Sequence, residues 1–168
     1  DLQERLRAGD RLAPSSLTPV ARAIDALHQR RFLHRDVHPG NLVRWEGAWR
    51  LIDFGLSRDF HAGFRCDRGS HAVIRFAAAE QLQNQDEHPD DDWYSFFLVA
   101  LATCHGAFPW ADLPNGPALL LRKVNDPLHP FGDCAEQVPL LARCRERAGL
   151  GLDEVLDRLA TLDDHRCG

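Results

Sequence analysis

A chain of 168 residues, 44% hydrophobic and 27% charged, is long enough to bury one core and has the composition of an ordinary soluble globular domain. A formal charge of -5 leaves no basic stripe for nucleic acid, and no apolar run is long enough to cross a bilayer, so cytosol is the expected location. Five cysteines (Cys66, Cys104, Cys134, Cys144, Cys167) form no CxxC and are odd in number, so reduced thiols are expected, and the nine histidines lack zinc-site spacing.

Leu2 and Leu6 among charges predict a short amphipathic helix over residues 1–8, stopped by Gly9. Ser15, Ser16 and Thr18 read as N-cap and first-turn residues of a second helix from Pro19 to Arg30, with Val20, Ile24 and Leu27 at helical spacing. That helix delivers the chain to HRDVHPGN, His34 to Asn41. Leu42 to Trp45 and Ala48 to Ile52 then flank Glu46-Gly47 and read as a strand, a tight turn and a returning strand. Such a hairpin brings Asn41 and Asp53, the aspartate of IDFG, to the same end.

Leu56 to Phe76 has no sustained period and reads as a loop, followed by FAAAEQL from Phe76 to Leu82, an alanine-rich helix start. Trp93 to Thr103 is apolar on every side, which predicts a helix buried all round at the centre of the domain. Of the acidic run before it, Asp90 and Asp91 read as a solvated cap that favours the positive end of the helix dipole. Pro117 to Val124, Glu136 to Arg147 and Leu152 to Leu162 carry leucines at helical spacing, and the GLG at Gly149 to Gly151 reads as a helix-to-helix turn. No repeat, low-complexity tract or second domain is evident.

Asp36, Asn41 and Asp53 stand in the order that phosphoryl transfer with magnesium requires, where the protein mainly positions a hydroxyl and holds metal against phosphate oxygens. HRDVHPGN and IDFG resemble the catalytic loop and metal motif of the eukaryotic-like (bacterial-type) serine/threonine protein kinase family. The resemblance implies that Asp36 accepts the proton of the substrate hydroxyl, while Asn41 and Asp53 bind Mg2+ and, through it, ATP. His38 stands where protein kinases usually carry a lysine that steadies the leaving phosphate, and counts with Asp36 as catalytic. His34 is expected to steady the loop, and Arg35 to pair with a phosphate or carboxylate on the activation segment, whose hydroxyl residues are Ser57 and Ser70.

FAAAEQL resembles the closing motif Y-x-A-P-E-x-L, with Ala79 for proline and Glu80 as the anchoring glutamate. Its arginine partner would come from Arg143, Arg145 or Arg147, none squarely in the family's register. DWYSFF resembles D-x-W/Y-S-x-G, with Phe97 replacing the glycine, Ser95 matching the serine, and Asp92 capping the buried helix and holding catalytic-loop amides.

The implied fold is mainly α: a protein-kinase-like large (C-terminal) lobe with a buried central helix and a short β-hairpin carrying the catalytic and metal motifs. The residues before His34 hold one glycine, Gly9, and no lysine, the chain's single lysine being Lys123, and the sequence has no methionine. The N-terminal lobe is therefore expected to be absent, with residues 1–168 a partial kinase domain that is nearly inactive alone. ATP and a protein substrate are the expected partners. HPGN also resembles aminoglycoside and choline phosphotransferase loops, so a small-molecule phosphotransferase stays open, as does a noncatalytic binding or scaffold module.

Overall fold

The computed structural model describes residues 1–60, 73–83, 85–132 and 137–164. Among these residues, seven α-helices carry the fold: α1 (Leu2–Arg7), α2 (Thr18–Gln29), α3 (Ala79–Leu82), α4 (Pro89–His105), α5 (Pro117–Asn125), α6 (Gln137–Arg145) and α7 (Leu152–Asp164). Four short strands, β1 (Phe32–Leu33), β2 (Leu42–Trp45), β3 (Ala48–Leu51) and β4 (Arg58–Asp59), form two antiparallel ribbons. The expected hairpin is β2–β3, with Trp45 opposite Ala48 and Leu42 opposite Leu51. Glu46 (φ 49°) and Gly47 (φ 81°) give its turn the twist that a two-residue connection needs.

The core is α4. Every residue from Asp92 to Cys104 is buried, including Trp93, Tyr94, Phe96 and Phe97, as the unbroken apolar pattern requires. Around it pack α2, α6 and α7, and α2 in turn covers β3. Gly106 ends α4 at φ 65°, and a Cβ there would lie 2.7 Å from the Gly9 carbonyl, so only glycine closes this helix against the loop after α1.

Two features of α4 correct the sequence reading. The helix starts at Pro89, and His88 is its N-cap: the His88 ring accepts from the Asp90 amide at 3.1 Å, and Asp91 accepts from the His88 amide at 3.1 Å. Asp92 lies inside the first turns and does not cap. Nor is the acidic run solvated. Asp90 is 1% exposed and accepts from the Gly149 and Leu150 amides at 3.0 and 2.9 Å, while Asp91 accepts from Arg147 at 2.9 and 3.1 Å. The GLG segment is a helix-to-helix turn, as expected, and its amides hold Asp90 to the α6–α7 corner.

At α2, Pro14–Leu17 forms a 3-10 turn that runs straight into the helix, so Thr18 is a first-turn residue, as expected, but no side chain caps the helix and Ser15 and Ser16 lie in the turn before it. Among its described residues, the loop after Gly55 holds an element that periodicity did not predict: β4, pairing Arg58 with Leu33. Residues 61–72, including Ser70 and Cys66, lie outside the described residues, as do Cys134 and Cys167. Cys104 and Cys144 are buried. Glu80 finds its arginine in Arg145, whose Nε donates to Oε1 at 2.7 Å; Arg143 and Arg147 are taken by Glu154 and Asp91.

Lys123 is fully buried. Its Nζ donates to the Ile74 and Arg75 carbonyls at 3.1 and 2.8 Å and lies 5.0 Å from the centre of the Trp110 ring. Arg75 donates in turn to the carbonyls of Pro109, Trp110 and Leu113, so residues 74–75 are clamped to the loop before α5. Among the described residues no helix is long and apolar enough to cross a membrane.

Candidate active site

The loop from His34 to Asn41 is built on buried polar contacts. One oxygen of Asp92 accepts from the His34 amide and the other from the Arg35 amide, both at 2.8 Å, which is the amide-holding role expected of it. His28 Nε2 sits 3.0 Å from the same carboxylate. Burial would raise the Asp92 carboxyl, but the His28 bond and charge and the His34 amide outweigh it and hold the group below its ordinary value.

Arg35 occupies the left-handed region at φ 69°, where a non-glycine residue is strained. The loop keeps that shape because Asp92 holds the Arg35 amide and Gln81 Nε2 donates to its carbonyl at 2.8 Å. The strain sits one residue before Asp36. His34 is 0% exposed, lies against the Phe54 ring, and has Nε2 3.3 Å from the Ile52 carbonyl; burial lowers its pKa, so the neutral ring is favoured.

Asp36 stands at the mouth of this loop. Asn41 Nδ2 donates to its carbonyl at 3.0 Å and to Oδ2 at 3.2 Å, His38 Nε2 lies 3.5 Å from Oδ2, and the Val73 amide donates to the carboxylate. Burial would raise this carboxyl, but the bond and charge of His38, followed by the Val73 and Asn41 bonds, keep it below its ordinary value. His38 Nδ1 accepts from the Gly40 amide at 3.1 Å, so a neutral His38 carries its proton on Nε2, toward Asp36. The ring sits so close that a Cβ on Gly40 would come within 2.8 Å of His38 Cε1, which is why glycine follows Pro39.

Asn41 leads into β2, and its carbonyl accepts from the Ile52 amide at 2.9 Å, extending the hairpin ladder by one step. Asp53 follows directly, so Asn41 and Asp53 flank the open end of the hairpin as the sequence predicted. Asp53 adopts φ 62°, and one carboxylate oxygen accepts from the Gly55 amide at 3.1 Å. Among the described residues, Asn41 Oδ1 and the second oxygen of Asp53 have no hydrogen-bond donor. An amide oxygen and a carboxylate oxygen suit Mg2+, which takes few protein ligands and completes its shell with water and phosphate. The described residues contain no group of three or more His, Cys, Asp or Glu side chains that could hold a metal by themselves.

A cleft of about 280 Å³ is lined by Gln3, Arg7, Val73, Arg75, Phe76 and Phe108. Val73 belongs both to the cleft and to the set of groups that hold Asp36. A larger depression of about 520 Å³, walled by Leu12, Cys104 and Leu162, carries none of the motif residues. Sequence reading missed Gln81, Glu87 and the Val73 amide. Gln81 fills an unspecified position of the closing motif, Glu87 belongs to no motif, and a backbone amide leaves no residue signature.

A catalytic-type loop, a metal-type hairpin end and a central buried helix in this arrangement define a kinase-like domain. The family model for the protein kinase domain matches residues 2–124, and the chain belongs to that family. Inhibitor of nuclear factor kappa-B kinase subunit beta from Bos taurus is 32% identical over 103 residues, 59% of this chain and 13% of the relative; the Mus musculus protein matches to the same extent. Ribosomal protein S6 kinase alpha-2 from Homo sapiens is 28% identical over 145 residues, 83% of this chain and 20% of the relative. The chain thus spans a fifth or less of the length of these relatives.

Proposed function

We propose that residues 1–168 form the large helical lobe of a serine/threonine protein kinase of the bacterial, eukaryotic-like type, acting in the cytosol. In the protein that carries this lobe, the γ-phosphate of ATP passes to a protein hydroxyl. One observation carries the reading: the Asp36 carboxylate, oriented by Asn41, His38 and the Val73 amide, stands at the hairpin end that also bears Asp53.

Asp36 is ionised at neutral pH and accepts the hydroxyl proton as the phosphoryl transfers. Asn41 and Asp53 hold Mg2+, which when bound neutralises charge on the phosphate oxygens. His38 Nε2 lies 3.5 Å from the Asp36 carboxylate and orients the acceptor. The cleft beside Val73 and Phe76 seats the polypeptide next to the reacting hydroxyl. The His38-Pro39-Gly40-Asn41 run favours a second reading, transfer to a small-molecule hydroxyl such as that of an aminoglycoside or choline.

The test is Asp36→Asn in the protein that carries this chain, with labelled ATP and both protein and small-molecule acceptors. Transfer should fall about 10²–10⁴-fold with an unchanged melting temperature. Label in protein supports the first reading and label in a small molecule the second. Undiminished transfer by Asp36→Asn removes both.

A further inference from the structure

Lys123, the single lysine of the chain, lies on α5 with its side chain wholly buried, and it belongs to no motif. Burying an amine is costly unless its N–H groups are bonded. Lys123 bonds its own to one short turn: Nζ donates to the Ile74 carbonyl at 3.1 Å and the Arg75 carbonyl at 2.8 Å, 49 and 48 residues back along the chain. The Trp110 and Tyr94 rings stand 5.0 and 5.5 Å from Nζ. An ammonium has three donors and a neutral amine two, so either form serves both carbonyls.

The other groups of this turn belong to the Asp36 site. The Val73 amide donates to the Asp36 carboxylate, and Val73 and Phe76 wall the 280 Å³ cleft. Asp36, Val73 and Phe76 also line one small gap. The Phe76 and Ala77 amides donate to the Val73 carbonyl at 2.9 and 3.1 Å, so the carbonyls of Val73, Ile74 and Arg75 are all bonded, two of them by Lys123. The Arg75 side chain, under the charge of Asp112, makes a second tie, to the carbonyls of Pro109, Trp110 and Leu113.

We propose that Lys123 is a positioning residue for phosphoryl transfer: through the Ile74 and Arg75 carbonyls it sets the turn of residues 73–76, and with it the amide that orients Asp36 and the cleft wall that receives the polypeptide acceptor. The functional half of this inference rests on the phosphotransfer reading above; that Lys123 sets the turn does not. Residues 73–76 lie in no helix or strand that would fix their backbone, and a buried carbonyl stripped of its donor costs enough to drive the turn toward another arrangement. A misplacement of about 1 Å in a positioning group is enough to lower a rate about 100-fold.

The experiment uses the full protein that carries this chain, with dephosphorylated casein as the acceptor. Lys123→Met keeps the length of the side chain and removes its donors. Its kcat/KM for casein, corrected for the folded fraction, should fall about tenfold or more, while KM for ATP stays within about twofold of wild type. A lysine that served stability alone would lower the folded fraction and leave the corrected kcat/KM unchanged, and that result overturns the proposal. Arg75→Gln loosens the second tie of the same turn with Lys123 in place, and covers the case in which the methionine variant does not fold. Its corrected kcat/KM for casein should fall about threefold or more, and a wild-type value overturns the proposal. The Val73 amide signal in a nitrogen–proton correlation spectrum reports the turn without any transfer. It should move in each variant that folds, and an unmoved signal overturns the structural half. If wild type transfers phosphate to no acceptor, the phosphotransfer reading falls with the functional half, and the Val73 signal by itself decides whether Lys123 sets the turn.

Discussion

Two sets of carboxylates divide the labour of this molecule. At the start of α4, Asp90, Asp91 and Asp92 are each enclosed and bonded to amides, arginines or a histidine from distant parts of the chain. At the hairpin end, Asp36 is held by Asn41, His38 and the Val73 amide, while Asp53 is exposed, with one oxygen free of donors among the described residues. The first set spends its lone pairs on the fold. In the second, Asp53 keeps an oxygen available for a ligand, and that difference, more than the residue type, separates a structural aspartate from a candidate metal-binding one.

Asp92→Ala is the strongest way to break that comparison. It leaves the buried His34 and Arg35 amides without an acceptor and should cost about 3–5 kcal/mol in denaturant unfolding, with loss of the loop. A cost below about 1 kcal/mol would place Asp92 with the second set.

Lys123→Met sharpens the same comparison with a smaller effect. Burial drives the Lys123 pKa well below 10.5, so the folded state binds fewer protons than the unfolded chain over the alkaline range below that value. Wild-type stability should therefore gain a rising contribution as pH climbs through the lowered folded pKa toward 10.5, and be flat in this respect above it. Lys123→Met should remove that slope, as read from unfolding midpoints across the range. An unchanged slope would mean that Lys123 is as solvated in the native state as in the unfolded one.

The hairpin, the central helix and the three outer helices were legible in the sequence because each is written in a local pattern: two short segments around Glu46-Gly47, unbroken apolarity through Trp93 to Thr103, and leucine spacing beyond Pro117. The positions of Asp36, Asn41 and Asp53 were legible because the hairpin between them is short enough to fix their relation. The roles of Asp90 and Asp91 were not. A charged run looks the same whether water or protein surrounds it, and their partners lie 56–60 residues further along the chain. The same reason hid Glu87, which pairs with Arg35 and Arg58 from separate segments, and the absence of a side-chain cap at α2, where a 3-10 turn replaces the expected serine cap.

The central proposal is that Asn41 and Asp53 hold one cation at the hairpin end, next to the Asp36 carboxylate. It is tested most directly by titrating Mn2+ with ATP into isotopically labelled protein and following paramagnetic broadening residue by residue. Selective broadening at Asp36, Asn41 and Asp53, lost in Asp53→Ala, is the predicted result. Broadening centred instead on Asp90 to Asp92, or spread evenly over exposed acids, would contradict it.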